Sequence, residues 1–291
     1  MTLGIDIDGL TVKYDDVTAI DDLSLTLEGG KIYGLLGRNG SGKTTLMSVL
    51  AAFRQARIGT VRVGGEDPFE NPRITQQICL IRESGDLVDG ETVKQALARA
   101  AHLRPTWDQT YADQLVDLFE LPVKRTITKL SRGQRSALGI TVGLASRAAL
   151  TMLDESYLGL DAPSRYAFYD HLLEDYMAHP RTIVISTHLI EEVSRLFEEV
   201  VIIDRGRLVA HDDTEALRSR GAAVTGPAAD VDEFTRGMTV LGEQQLGGTK
   251  STTVFGALAD DQRALARRSG LELAPVALQD LFVHMTKGGR P

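Results

Sequence analysis

The sequence predicts an α/β domain that carries a helical lobe and is followed by a small α+β module. A glycine-rich turn, Gly37-Arg38-Asn39-Gly40-Ser41-Gly42-Lys43-Thr44-Thr45, joins the apolar run Lys31 to Leu36 to a helical run from Thr45 to Leu50. A second apolar run, Ala149 to Leu153, ends in the adjacent carboxylates Asp154 and Glu155. Beyond Ser219 the composition shifts to Ala, Gly and Thr, and short alternating runs replace the longer ones. Apolar strands separated by helical patterns read as α/β, and the turn that joins the first pair matches the phosphate-binding pattern G-x-x-x-x-G-K-[ST] from Gly37 to Thr44.

At 291 residues the chain has room for about two domains. The expected division is a phosphate-binding α/β domain over 1–219, with its helical lobe at 88–145, and an accessory domain over 220–291. Hydrophobic residues make up 43% and charged residues 25%, and the mean hydropathy is −0.09, as in ordinary globular proteins. No apolar run approaches the ~18 residues that cross a bilayer, so the expected location is cytoplasmic unless a partner holds the chain at a membrane. A formal charge of −8 argues against a surface that neutralises nucleic-acid phosphates. Cys79 is the only cysteine, which excludes an internal disulfide and a Cys-based zinc site.

In chain order, Leu10 to Tyr14 and Leu23 to Leu27 alternate apolar and polar residues as half-buried strands do. Tyr14, shortly upstream of the glycine loop, is placed to stack on an adenine ring. In the loop, Gly37, Gly40 and Gly42 allow positive φ and close backbone approach to a phosphate. The following helix adds its unpaired N–H groups and positive dipole end. Lys43 would then reach β- and γ-phosphates, and the Thr44 hydroxyl would hold Mg²⁺. Gly59 to Gly65 and Ile78 to Ile81 read as further strands. Glu83, just past the second, is a site candidate because open α/β sheets bind ligands at the carboxyl ends of strands.

From Thr92 to Leu121 the pattern is helical, with Val93, Ala96, Leu97 and Ala100 on one face and Tyr111, Leu115, Leu118 and Phe119 on the next. Ser131, in Leu130-Ser131-Arg132-Gly133-Gln134, is a good N-cap for a helix to about Ala145. Asp154 and Glu155, delivered by an apolar strand to the end where the glycine loop sits, can hold Mg²⁺ and orient or deprotonate an attacking water. Asp161 and Pro163 start another helix. Thr182 to Ser186 is a buried strand that ends at Thr187-His188, from where His188 could touch a γ-phosphate. A helix over Glu191 to Phe197 and a hairpin around Arg205-Gly206 follow. The tail reads β-α-β-β-α-β, the order of a small ferredoxin-like module.

These motifs, in this order, resemble the ATP-binding subunit of ABC transporters over about Leu10 to Leu217. GRNGSGKTT resembles the Walker A loop, LSRGQ the signature, TMLDE Walker B, GLD the D-loop and STH the switch histidine. The resemblance implies a P-loop NTPase fold of the ABC ATPase type with an antiparallel β subdomain, and ATP with Mg²⁺ as ligands. It implies Lys43, Glu155 and His188 as catalytic groups and Thr44 and Asp154 on the metal, and Glu83, at the position where the family has glutamine, is a further metal-side candidate. It further implies Tyr14, the loop Gly37 to Thr45, Ser131, Gly133, Gln134 and Asp161 around nucleotide, with Ser131 and Gly133 binding ATP held on the opposite subunit. The implied assembly is a head-to-tail homodimer or heterodimer with two shared ATP sites, peripheral on the cytoplasmic face of the membrane. Its implied partner is an integral-membrane permease on a separate chain.

Three positions depart from the family pattern. Glu83 stands where glutamine is usual, Arg132 replaces the second signature glycine, and Ser156-Tyr157 stands where Pro-Thr is common. The short helical lobe, the GRNGSGKTTLM loop and the ending Val276 to His284 resemble the exporter-type subgroup. The alternative from another class, an ABC ATPase acting on nucleic acid or the ribosome, is disfavoured by a single cassette and by the lack of sustained heptads between Thr44 and Leu130.

Overall fold

The computed structural model describes residues 2–83 and 87–287. The chain forms two compact units, one of residues 1–188 and 196–208, the other of residues 189–195 and 209–291. They part at 208/209, earlier in sequence than the compositional shift near 219.

The first unit opens with β1 (Ile5–Tyr14) and β2 (Val17–Leu27), an antiparallel pair whose alternate residues are buried. β3 (Ile32–Leu36) follows, entirely buried, and leads through the glycine loop into α1 (Lys43–Leu50). β4 (Ile58–Val63) returns to pair with β1, giving a three-stranded antiparallel sheet in the order β2-β1-β4. The short α2 (Pro72–Thr75) precedes β5 (Ile78–Arg82).

The helical lobe comes next. α3 (Val93–Leu103) starts at a Thr92–Gln95 capping box, and α4 (Gln109–Leu118) starts at Asp108, whose carboxylate accepts from the Tyr111 N–H. Val93, Ala96, Leu97 and Ala100 are buried as the sequence predicts, while of the second face Tyr111 and Leu115 are buried and Leu118 and Phe119 only half-buried. α5 (Arg132–Ala145) ends the lobe and leads into β6 (Leu150–Asp154). α6 (Ala162–Ala178) and β7 (Thr182–Thr187) complete the core alternation.

Between the two pieces of the first unit lies α7 (Ile190–Val193), then a single 3-10 turn at Ser194–Leu196. The helix expected over 191–197 is therefore broken into two short pieces. Leu189 at its N-cap has no side-chain acceptor for the first N–H groups. β8 (Glu199–Asp204) and β9 (Arg207–Asp213) form the expected hairpin strands.

The main sheet has the order β5-β6-β7-β3-β8-β9, and β5, β6, β7, β3 and β8 run parallel. Strands covered on both faces lose the polar alternation, which is why β3, β6 and β7 read as continuous apolar runs. At the amino ends of these strands a buried ionic hub ties the lobe down. Asp175 lies 3.0 Å from Arg147 and 2.7 Å from Arg181, and Arg147 also reaches Asp108 at 3.2 Å. The lobe's α4 is thus bound through Arg147 to the end of α6.

The second unit adds α8 (Thr214–Arg218), β10 (Gly221–Pro227), α9 (Ala228–Phe234), β11 (Thr239–Leu246), β12 (Thr249–Phe255), α10 (Asp260–Arg268), β13 (Glu272–Pro275) and α11 (Leu278–Lys287). Its sheet has the order β11-β12-β10-β13 with every neighbouring pair antiparallel. Val224, Val231, Val254, Leu258, Ala266 and Leu271 form its core.

Candidate functional site

Parallel strands bring their carboxyl ends to one edge, and the register fixes which residues meet there. Leu36 of β3 lies beside Thr187 of β7, Asp154 of β6 beside Ser186, and Arg82 of β5 beside Asp154. The glycine loop leaves β3 at that edge. A Cβ on Gly37 would fall 2.7 Å from the Ile203 carbonyl, and Gly42, at φ +106°, would put one 2.5 Å from the Ala19 carbonyl. Only glycine passes these two points. The Gly206 N–H donates to the Ser41 carbonyl at 2.9 Å and holds the loop against the β8–β9 turn.

The loop fits a polyphosphate. Gly42 caps α1 without any side-chain acceptor, and no acidic residue lies in the first turn, so the helix presents free N–H groups and its positive end. The Ser41 hydroxyl is buried and without a hydrogen-bond partner. Lys43, only 5% exposed, turns its ammonium back onto the loop, donating to the Gly37 carbonyl at 2.6 Å and the Arg38 carbonyl at 3.4 Å. Thr44 is exposed and Thr45 half-buried, while Arg38, Asn39 and Gly40 face solvent.

Glu155 converges on Lys43 from β6. Its backbone is left-handed, at φ +51°, a strained geometry for a non-glycine residue. One carboxylate oxygen lies 3.5 Å from the Lys43 Nζ and the other 3.3 Å from the His188 Nδ1. Asp154 is 5% exposed and accepts from the Ser186 hydroxyl at 2.5 Å. The structure therefore gathers the loop, Asp154, Glu155 and His188 in one place.

A second cluster forms around the start of α5. The Ser131 hydroxyl accepts from the Gln134 N–H at 3.1 Å, and the Gln134 side chain accepts from the Ser131 N–H at 3.2 Å. A Cβ on Gly133 would stand 3.0 Å from the Gly159 carbonyl, so the two backbones pack directly, and Asp161 follows as the N-cap of α6. The Arg132 guanidinium pairs with the Glu83 carboxylate. Two of the three departures from the family pattern thus neutralise each other, and Glu83, expected on the metal side, is held by Arg132.

Tyr14, the last residue of β1, is 44% exposed, and the Arg54 guanidinium lies 3.9 Å above its ring centroid. One face of the ring is already covered by a cation, and the stack on a base expected from the sequence would use the other. Among the described residues no three His, Cys, Asp or Glu side chains gather into a metal site. A Mg²⁺ ion that keeps waters and borrows phosphate oxygens needs no such cage.

Comparison with known proteins adds the family. The family described as ABC transporter matches residues 20–157. The ABC transporter ATP-binding protein YtrB of Bacillus subtilis (strain 168) is 30% identical over 214 residues, 74% of this chain and 73% of that one. This chain belongs to the ABC transporter ATP-binding proteins. The ABC protein is similar over nearly its whole length to two others. The daunorubicin resistance ATP-binding protein DrrA3 of Streptomyces coeruleorubidus is 28% identical, covering 98% of this chain and 96% of its own. The Nod factor export ATP-binding protein I of Burkholderia lata is 28% identical, covering 97% and 96%.

The solved structure of an ATP-binding subunit of an ABC transporter superposes with a TM-score of 0.66 at 22% identity, over 74% of this chain and 91% of that one. A dimeric cassette bound to ADP and Pi gives 0.63 at 17%, over 72% and 98%. At these identities the likeness shows the fold, which is the ABC ATPase P-loop fold. As a member of this family the ABC protein binds and hydrolyses ATP.

Sequence reasoning missed Ser186, which holds Asp154, and Arg54, which covers Tyr14. A hydroxyl in the residue that faces an acid across a parallel pair is visible only once the register is known. Arg54 lies far from Tyr14 along the chain and carries no motif.

Asp161 gives a pH test of the second cluster. Its carboxylate accepts from the Ser164 N–H at 3.0 Å, and hydrogen bonding to Ser164 holds its pKa below 3.8. A depressed folded-state value means stability that is full above the unfolded value and lost as pH falls through the folded one. Asp161→Ala should therefore lower the melting temperature at pH 7. The gap from the parent should close in melts taken progressively below pH 3.8, and a gap independent of pH would show that the carboxylate does not cap α6.

Proposed function

We propose that this ABC protein is the ATP-hydrolysing subunit of an exporter, peripheral on the cytoplasmic face of a membrane and bound there to a permease on a separate chain. The observation that carries the chemistry is Glu155, set between Lys43 and His188 at the carboxyl ends of β6, β3 and β7. A carboxylate in that place can take the proton of a water attacking the γ-phosphate, with Lys43 balancing phosphate charge and His188 contacting the same phosphoryl group. Preorganised charge and positioning supply most of the rate in phosphoryl transfer. Thr44 and Asp154 would hold Mg²⁺, which would supply positive charge to the bound phosphates.

Export is supported by relatives named for daunorubicin resistance and Nod factor export, which align along almost the full chain. No helix among the described residues is long and apolar enough to cross a membrane, which leaves the membrane path to another chain. Residues 1–219 would be the ATPase domain and 220–291 an accessory module. Ser131, Gly133 and Asp161 sit in a cluster of their own, which suits contact with ATP held by a second ATPase subunit, Gln134 supporting Ser131.

The direct test is Glu155→Gln. Turnover should fall by about a hundredfold or more while ATP binding persists, because only the base is removed. Turnover at the parental rate would remove Glu155 from the chemistry.

Arg132 competes with a metal ion for the Glu83 carboxylate. Arg132→Gly should therefore lower the Mg²⁺ concentration at half-maximal ATPase rate, and Glu83→Gln should raise it. If both variants titrate like the parent, Glu83 has no part in metal binding.

A further inference from the structure

Glu155 and His188 follow neighbouring strands just past the Asp154–Ser186 register pair, so backbone pairing brings the two segments together and side chains set the final 3.3 Å between them. Three side-chain rungs cross between the two segments. Ser186 donates to Asp154, Glu155 faces His188, and the Tyr157 hydroxyl donates to the Thr187 hydroxyl. The third rung is fully buried at both ends. Thr187 is the last residue of β7 and immediately precedes His188.

Tyr157 cannot swing away from that bond. Its ring stacks on Phe168, with centroids 5.9 Å apart and planes at 19°, and meets Tyr169 edge-on at 5.8 Å and 72°. Both partners lie on α6, whose first residues follow Asp161. The turn itself is closed by the Leu158 N–H donating to the Glu155 carbonyl at 3.2 Å and the Leu160 N–H donating to the Tyr157 carbonyl at 3.0 Å. Through this turn the strained φ of Glu155 is tied to the position of Tyr157. Breaking a hydrogen bond between two buried hydroxyls costs stability, so the bond resists loosening.

We infer that Tyr157 is a positioning residue for ATP hydrolysis: its hydroxyl, wedged by Phe168 and Tyr169, fixes Thr187 and so holds His188 against Glu155. The inference rests on the proposed roles of Glu155 and His188 at the γ-phosphate. Tyr157 touches no reacting atom. It acts through the geometry of two groups that do, and small misplacements of such groups are costly.

Tyr157→Phe keeps the ring and removes only the hydroxyl. In steady-state ATPase assays its turnover should fall about tenfold with the KM for ATP moved by less than about twofold, since positioning is lost and binding is not. Thr187→Val should reproduce the loss, and Thr187→Ser, which keeps the hydroxyl, should lose less. In a His188→Ala background Tyr157→Phe should add nothing further, because the residue it positions is gone.

Additive losses in the double variant would reduce Tyr157 to packing, and parental turnover in Tyr157→Phe and Thr187→Val would overturn the inference alone. A His188→Ala chain that turns over like the parent would overturn the role of His188 and this inference with it. The two failures are told apart by that single variant.

Discussion

The site depends on one buried charge, the Lys43 ammonium. A charge taken out of water is tolerable only when it is paired and hydrogen-bonded. Here two loop carbonyls and the Glu155 carboxylate provide for it. Each of those partners is fixed by something larger. The carbonyls belong to a loop that only glycine can trace past Ala19 and Ile203, and the carboxylate sits at the end of a strand buried on both faces. The ammonium is thus held where an incoming polyphosphate could replace the carbonyls as its acceptors. Glu155 is thereby kept between Lys43 and His188.

Charge also organises the second cluster, by another route. Arg132 would put an extra cation at the start of α5, and Glu83 would put an extra anion at the end of β5. Paired, they cancel, at a site exposed enough that the pair itself contributes little stability. Its importance is geometric, since it links the signature segment to the edge of the main sheet within one chain. The ionic hub of Asp175, Arg147, Arg181 and Asp108 does the corresponding work at the amino ends of the strands, with Asp175 and Arg181 buried and Arg147 and Asp108 only partly so. Ion pairs therefore tie the helical lobe to the rest of the unit at both ends.

Much of this was legible in the residues. The central strands announced themselves by apolar runs without alternation, the caps at Ser131 and Asp161 by their residue types, and the loop by its glycines. The tail's order of strands and helices was readable because Gly247-Gly248 and the helical run Asp260 to Arg268 punctuate it clearly. Contacts across the sheet were not legible, because a sequence does not state register. That is why Ser186 passed unnoticed beside Asp154. It is also why Ser156-Tyr157, visible only as a departure from Pro-Thr, gave no sign of the hydroxyl that Tyr157 places on Thr187. Glu83 and Arg132 were each visible as departures, but only the fold brings them together. The broken helix at 190–196 was misread because its apolar spacing is helical while its N-cap is not.

The central claim is that ATP completes a site shared between two such chains, the loop and Glu155 of one meeting Ser131 and Gly133 of the other. The measurement that tests it most directly is size-exclusion chromatography with light scattering on the Glu155→Gln chain, with and without ATP and Mg²⁺. The claim predicts a monomer that becomes a dimer only when both are present. A mass that nucleotide leaves unchanged would contradict it.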